Sequence, residues 1–257
     1  MENKKKAWNI LWAVLAVGVF YLTGNLLSLL GYVAIPKWII PVKPEQANSY
    51  MFTADLIISV VLLALSFFAY KKLHGKTAEE KTPVFEKTLV KCIVMGIAVF
   101  GVNSLLDMIF KPSAGAGAKE SLISMFITGV LFAPLIEEFF FRGIVYNFLN
   151  RFKSGWFSVL LSAAIFGAYH MDFYQAVYTA VLGIVLALVY QRTKNILYPI
   201  AVHMTNNAFA CLMASEIPES MQTVLGIGAM AMMIPAAVLL IKNRTSLAPK
   251  ISSDENR

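Results

Sequence analysis

Charge is scarce in this chain. Asp, Glu, Lys and Arg make up 14% of its 257 residues, while hydrophobic residues make up 58%. A soluble domain carries about 25% charged and about 45–50% apolar residues, so a water-soluble globular fold is excluded. Cysteine is nearly absent. Cys92 and Cys211 both fall in apolar segments and read as buried small hydrophobes, which excludes a disulfide framework or a cysteine metal centre. There are three histidines: His74, His170 and His203. The chain has no HExxH zinc helix and no GxSxG nucleophile elbow. Internal repeats and a separate polar domain are missing too, so residues 1–257 read as a single integral membrane domain. A net charge of +7 in a soluble protein would suggest nucleic acid. Here it reads as flanking charge on the cytoplasmic side of a bilayer, with no nucleic-acid partner.

What is present is apolar length. Eight segments stand out: Trp8–Ile35, Met51–Tyr70, Leu89–Phe110, Ser121–Leu149, Trp156–His170, Phe173–Tyr190, Ile196–Ala214 and Met221–Ile241. A spanning helix needs about 20 apolar residues, so the fifth and sixth are marginal. The expected fold is an all-α polytopic membrane protein of about eight transmembrane helices with an intramembrane polar cavity. ENKKK and the run after it do not form a signal peptide, because the run is too long and no small-residue cleavage site closes it. With the N-terminus inside, sixteen Lys and Arg fall in cytoplasmic loops and tails against four outside. Both termini are therefore expected in the cytoplasm of a cell membrane. The 113–119 stretch, SAGAGAK, reads as a plain outer linker, and the basic 71–87 loop as a solvated, lipid-facing charge run.

The fourth segment holds the anomaly. Glu137, Glu138 and Arg142 interrupt an otherwise apolar helix, with no other charge between Glu120 and Arg151. Such residues are costly in hydrocarbon, face the bundle interior and mark functional sites. Glu138 and Arg142 are spaced i,i+4 and suit an ion pair, leaving Glu137, about 100° away around the helix, free for other work. Pro134 predicts a kink just before the glutamates. His170 ends the fifth segment. His203 and Asn207 share one face of the seventh, with Asn206 on another. A single membrane histidine or asparagine also serves simply to join helices by hydrogen bonds.

Depth ties these residues together. Glu137 lies about 18 Å and His170 about 21 Å from the cytoplasmic ends of their helices, with His203 and Asn207 at about 10 and 16 Å. If they converge, a carboxylate and an imidazole can take a proton from a shared water. An imidazole and an amide NH₂ can stabilise a developing oxyanion. Together these describe amide hydrolysis without a covalent intermediate. The alternative cofactor is zinc on Glu137, His170 and His203, two histidines and a carboxylate being a catalytic zinc set.

EEFFFRG at 137–143 resembles the EExxxR signature of the CAAX protease and bacteriocin-immunity family of intramembrane glutamate proteases. Phe166–His170 is similar to that family's FxxxH motif, and His203–Asn207 to its HxxxN motif. The motifs lie within residues 121–214, the expected catalytic core. The resemblance implies an eight-helix fold with a cavity open to the cytoplasm, and a metal-independent mechanism. It implies that Glu137 and His170 activate water, that His203 and Asn207 form the oxyanion hole, and that Glu138 and Arg142 support them. It points to the bacterial branch, acting on a membrane-associated peptide or protein within the lipid. A non-catalytic binding or immunity protein that modulates a partner is the alternative. A proton-relay transporter is a third reading, weakened because no pair of broken helices occupies matching halves.

Overall fold

A computed structural model describes residues 2–39, 41–74, 85–110, 121–215 and 217–242. The SAGAGAK stretch, residues 75–84 of the basic loop, and the tail's Arg244, Lys250 and Arg257 lie outside the described residues. All eight apolar segments are helical: α1 (2–39), α2 (Ala47–His74), α3 (Phe85–Phe110), α4 (Leu122–Phe152), α5 (Trp156–Tyr169), α6 (Phe173–Thr193), α7 (Leu197–Ala214) and α8 (219–242). Among the described residues there is no strand.

Among the described residues, six helices are long and apolar enough to cross a membrane. α5 is short, 14 residues, or about 21 Å. α6, marginal when ended at Tyr190, runs on to Thr193 and reaches full length. α7 has 18 residues but is not among the six, because His203, Asn206 and Asn207 dilute its apolar content. The outer faces of α1 and α2 display Val19, Leu22 and Phe68, each more than 60% exposed. On a bundle of this composition that belt faces lipid, and the protein is a multi-pass membrane protein.

α1 corrects the expected stop at Ile35. It continues to Ile39 as a π-helix with Pro36 inside. In α-helical geometry a proline ring strikes the carbonyl four residues back. The wider π turn, closed by bonds five residues apart, relieves that contact.

α4 runs through the middle of the core. Phe141, Val145 and Leu149 are fully buried, and Phe20 of α1 stacks on Phe140 with ring centroids 4.0 Å apart. α5 and α6 form a hairpin whose turn places Met171 at φ 57, while Asp172 caps α6 by accepting from the Gln175 amide at 2.7 Å. The hairpin closes at Gly183, where a methyl group would sit 3.0 Å from the Ala163 Cα. α3 approaches α7 as closely: a methyl on Gly96 would lie 2.6 Å from the Val202 carbonyl oxygen. Small residues let membrane helices meet backbone to backbone, and these contacts bring α6 and α7 within reach of α4.

Candidate active site

The backbone of α4 alternates between two helical forms around its polar cluster. Met125–Phe132 and Glu138–Tyr146 are π-helical, separated by one α-helical turn, Ala133–Glu137. Pro134, where a kink was expected, lies in that α-helical turn, where the winding changes. This has a local consequence. The Ala133 N–H donates to Thr128 O, five residues back. Continuing that register, the donor for Gly129 O would be Pro134, which has no N–H. Gly129 O instead accepts from the Asn207 side-chain amide of α7 at 2.9 Å. An acceptor this deep in a bundle is seldom left unmade, and here the proline passes it to another helix.

Glu138 and Arg142 form the expected ion pair, Oε1 to Nη1 at 3.0 Å, with side chains 0% and 1% exposed. Arg142 Nη2 also donates to Gly183 O at 3.2 Å, and its guanidinium lies 4.5 Å from the centroid of the Phe166 ring. Glu138 Oε1 has a second partner, His203 Nδ1 at 2.9 Å. The other ring nitrogen of His203, Nε2, faces Glu137 Oε2 at 3.7 Å. His203 thus stands between the two glutamates. At that distance Glu137 and His203 are an ion-pair contact and not a direct hydrogen bond.

Asn207 is held at both ends of its amide. Its NH₂ donates to Gly129 O, and its Oδ1 accepts from Asn206 Nδ2 at 3.1 Å. A backbone carbonyl accepts only, so the orientation of the Asn207 amide is determined, and its second N–H is free. His170 lies apart from the carboxylates. Its Nδ1 pairs with Phe166 O at 2.9 Å. Because that carbonyl only accepts, Nδ1 is the donor in this contact, and in the neutral ring the lone pair lies on Nε2. The Phe166 ring lies edge to face with both His170 and His203, at 5.1 and 5.8 Å between centroids.

The structure therefore joins Glu137, Glu138, Arg142 and His203 directly. It sets Asn207 on α4 through a backbone carbonyl and packs His170 and His203 against the same Phe166 ring. Among the described residues, no three His, Cys, Asp or Glu form a group that could hold a metal ion, so Glu137, His170 and His203 are not assembled as a ligand set. Two contributors escaped sequence reasoning. Asn206, on another face by helical spacing, orients Asn207; its adjacency was the available signal. Gly183 supplies a carbonyl to Arg142, and nothing in its sequence context marks it.

The same region carries the likeness to known proteins. Residues 119–209, which include Glu137, Glu138, Arg142, His170, His203 and Asn207, match the family described as type II CAAX prenyl endopeptidase Rce1-like. Over 92 residues the chain is 34% identical to a protein of Bacillus subtilis (strain 168) named "Putative membrane peptidase YdiL". That match spans 36% of this chain and only 38% of the Bacillus protein. Over 230 residues it is 26% identical to "Membrane-embedded CAAX protease MroQ" of Staphylococcus aureus (strain USA300), covering 82% of this chain and 93% of that one. No solved structure matches.

Proposed function

Taking the likeness to the Rce1-like CAAX endopeptidases over 119–209 as the premise, we propose that this protein is an intramembrane, metal-independent endopeptidase. It hydrolyses a peptide bond of a membrane-associated peptide or protein, in the plasma membrane of a bacterium, with both termini cytoplasmic. Peptide processing and bacteriocin immunity are the roles that suit such an activity.

The observation that carries this reading is the position of His203 between Glu137 and Glu138, with Glu138 buried and paired to Arg142. With both ring nitrogens of His203 protonated, the four side chains sum to zero charge, which keeps the cluster tolerable in a low-dielectric interior. Nδ1–H is committed to Glu138, so Nε2–H is the donor left for substrate. The free N–H of Asn207 is the second donor. Together they receive the oxyanion as a water oxygen adds to the carbonyl carbon. Glu137 is the more exposed glutamate, its side chain 16% accessible against 0% for Glu138. It takes the proton of that water, and the lone pair on His170 Nε2 shares the task. Collapse of the adduct breaks the C–N bond, and the same groups return the proton to the leaving amine. Glu138 and Arg142 are positioning residues.

The test is a comparison of the native chain with Glu137→Gln, with membrane abundance measured in parallel. Loss of proteolysis at normal abundance is expected, while full activity of an abundant variant refutes the mechanism. A second reading draws on the complete burial of Glu138 and Arg142. In a non-catalytic binding or immunity protein the cluster holds the fold, and Glu137→Gln leaves the phenotype intact.

A further inference from the structure

α5 ends on Tyr169, which occupies one of the unspecified positions of FxxxH, just before His170. Its ring lies edge to face with the His170 imidazole, 5.7 Å between centroids. Phe141 of α4 adjoins it at 5.3 Å, and Phe20 and Tyr21 of α1 at 5.8 and 6.1 Å. We propose that the Tyr169 hydroxyl donates a hydrogen bond to the water that Glu137 deprotonates, making Tyr169 a further catalytic residue. This rests on the proteolytic reading above and adds a donor to the same site.

Three observations point to that role. First, the ring is held in place. Its neighbours come from α1, α4 and α5, and Phe20 is itself stacked on Phe140 at 4.0 Å; aromatic contacts of this kind have a preferred geometry. Phe141 follows Glu137 by four residues and so shares its face of α4. Second, the hydroxyl is uncommitted. Among the described residues it has no hydrogen-bond partner, whereas Tyr32 pairs with Asp55 and Tyr50 with Gly31 O. Tyr169 is partly exposed, so a water can reach it. Third, the Glu137 carboxylate acts electrostatically on this hydroxyl. The phenol thus neighbours both groups that take the water's proton.

A water held between Glu137 and His170 Nε2 gives one hydrogen to each. One of its lone pairs accepts from Tyr169, which aims the other at the carbonyl carbon. As the O–H bond to Glu137 breaks, negative charge builds on the water oxygen, and a donor already directed there gains strength. The C–O bond forms, the proton passes to Glu137, and Tyr169 keeps its own.

The test uses the full chain in phosphatidylcholine and phosphatidylglycerol vesicles, with an internally quenched peptide that the native chain cleaves. Tyr169→Phe keeps the ring and removes only the hydroxyl. It should lower kcat about tenfold, as loss of one hydrogen bond would, with KM and folding unchanged, because the water is not part of substrate binding. Tyr21→Phe, which removes the neighbouring hydroxyl, should hydrolyse at the native rate. A native kcat in Tyr169→Phe, or a loss carried by KM, overturns the role. A second measurement does not depend on hydrolysis. With 3-fluorotyrosine at position 169, the ¹⁹F resonance should move on Glu137→Gln and stay in place on Glu219→Gln, a change at the exposed start of α8. A resonance indifferent to Glu137→Gln overturns the juxtaposition. The two readings fail differently. If Glu137→Gln is inactive and Tyr169→Phe is native, the hydrolytic reading stands and Tyr169 leaves the site. If Glu137→Gln hydrolyses at full rate, the assignment of Glu137 falls and takes the Tyr169 role with it, even where the resonance moves.

Discussion

Replacing Pro134 by Ala should separate stability from activity. In an α-helix interior proline is worse than alanine by about 3 kcal/mol, so the naive expectation is a more stable protein. The winding of α4 has already absorbed much of that cost, since Pro134 follows a π-helical stretch. What the substitution adds is one N–H, in reach of Gly129 O. A new intrahelical bond contributes about 0.5–1.5 kcal/mol net, and it displaces a bond of similar size from Asn207. Stability should therefore move by less than about 1.5 kcal/mol in either direction. Activity should fall, because Asn207 loses the acceptor that orients it. Removing one oxyanion donor outright costs about 10²–10³ in kcat; disordering one should cost about ten- to a hundredfold. The assay is peptide hydrolysis in proteoliposomes, with denaturing-detergent titration of the same preparation. The Pro134→Ala, Asn207→Ala double variant should be no slower than Asn207→Ala alone, since the two act through one contact. Full activity in Pro134→Ala, or additive losses in the double variant, would refute the link between proline, carbonyl and amide.

Other substitutions probe the same framework. Arg142→Met strands the Glu138 carboxylate and should destabilise by about 3–5 kcal/mol; adding Glu138→Gln should recover much of that in the same titration, and simple additivity would count against the buried pair. Gly183→Ala pushes a methyl to 3.0 Å from Ala163 Cα and should cost about 1–3 kcal/mol together with activity, whereas Gly18→Ala, with nothing within 4 Å, should unfold like the native chain. Asn206→Ala should slow hydrolysis about tenfold, as loss of one orienting hydrogen bond of about 1.4 kcal/mol would, with little effect on folding. Treatment with a chelator should leave hydrolysis unchanged; loss that zinc restores would bring back the set Glu137, His170 and His203.

Much of this molecule is legible because hydrocarbon punishes polar atoms. Eight apolar runs become eight helices, and four of the polar side chains inside them, Glu137, Glu138, Arg142 and His203, meet at α4. The Glu138–Arg142 pair follows from spacing alone. What spacing cannot supply is rotation about each helix axis and the identity of backbone partners. Glu137 was set apart from the ion pair, but its facing partner, His203 of α7, depends on how α7 is turned. The carbonyls of Gly129 and Gly183 carry no side-chain signature. Pro36 was read as a stop, yet the helix runs through it, because five-residue turns accommodate a ring that four-residue turns do not.

The adjacent glutamates show how one helix turn can serve two purposes. Glu138 accepts from Arg142 and His203 and has no accessible surface; a carboxylate so enclosed cannot reach a substrate, but it can determine which His203 nitrogen is spent. Glu137 keeps partial access and faces the nitrogen that remains. Exchanging Glu for Gln at each position should therefore give different signatures. Glu137→Gln keeps the fold and loses the proton acceptor. Glu138→Gln leaves Arg142 without a counter-charge and His203 without its anionic partner, so stability and activity fall together. If Glu138→Gln were as stable as the native chain, the two carboxylates would not be divided in this way, and the case for Glu137 as the chemical member of the pair would lose its physical basis.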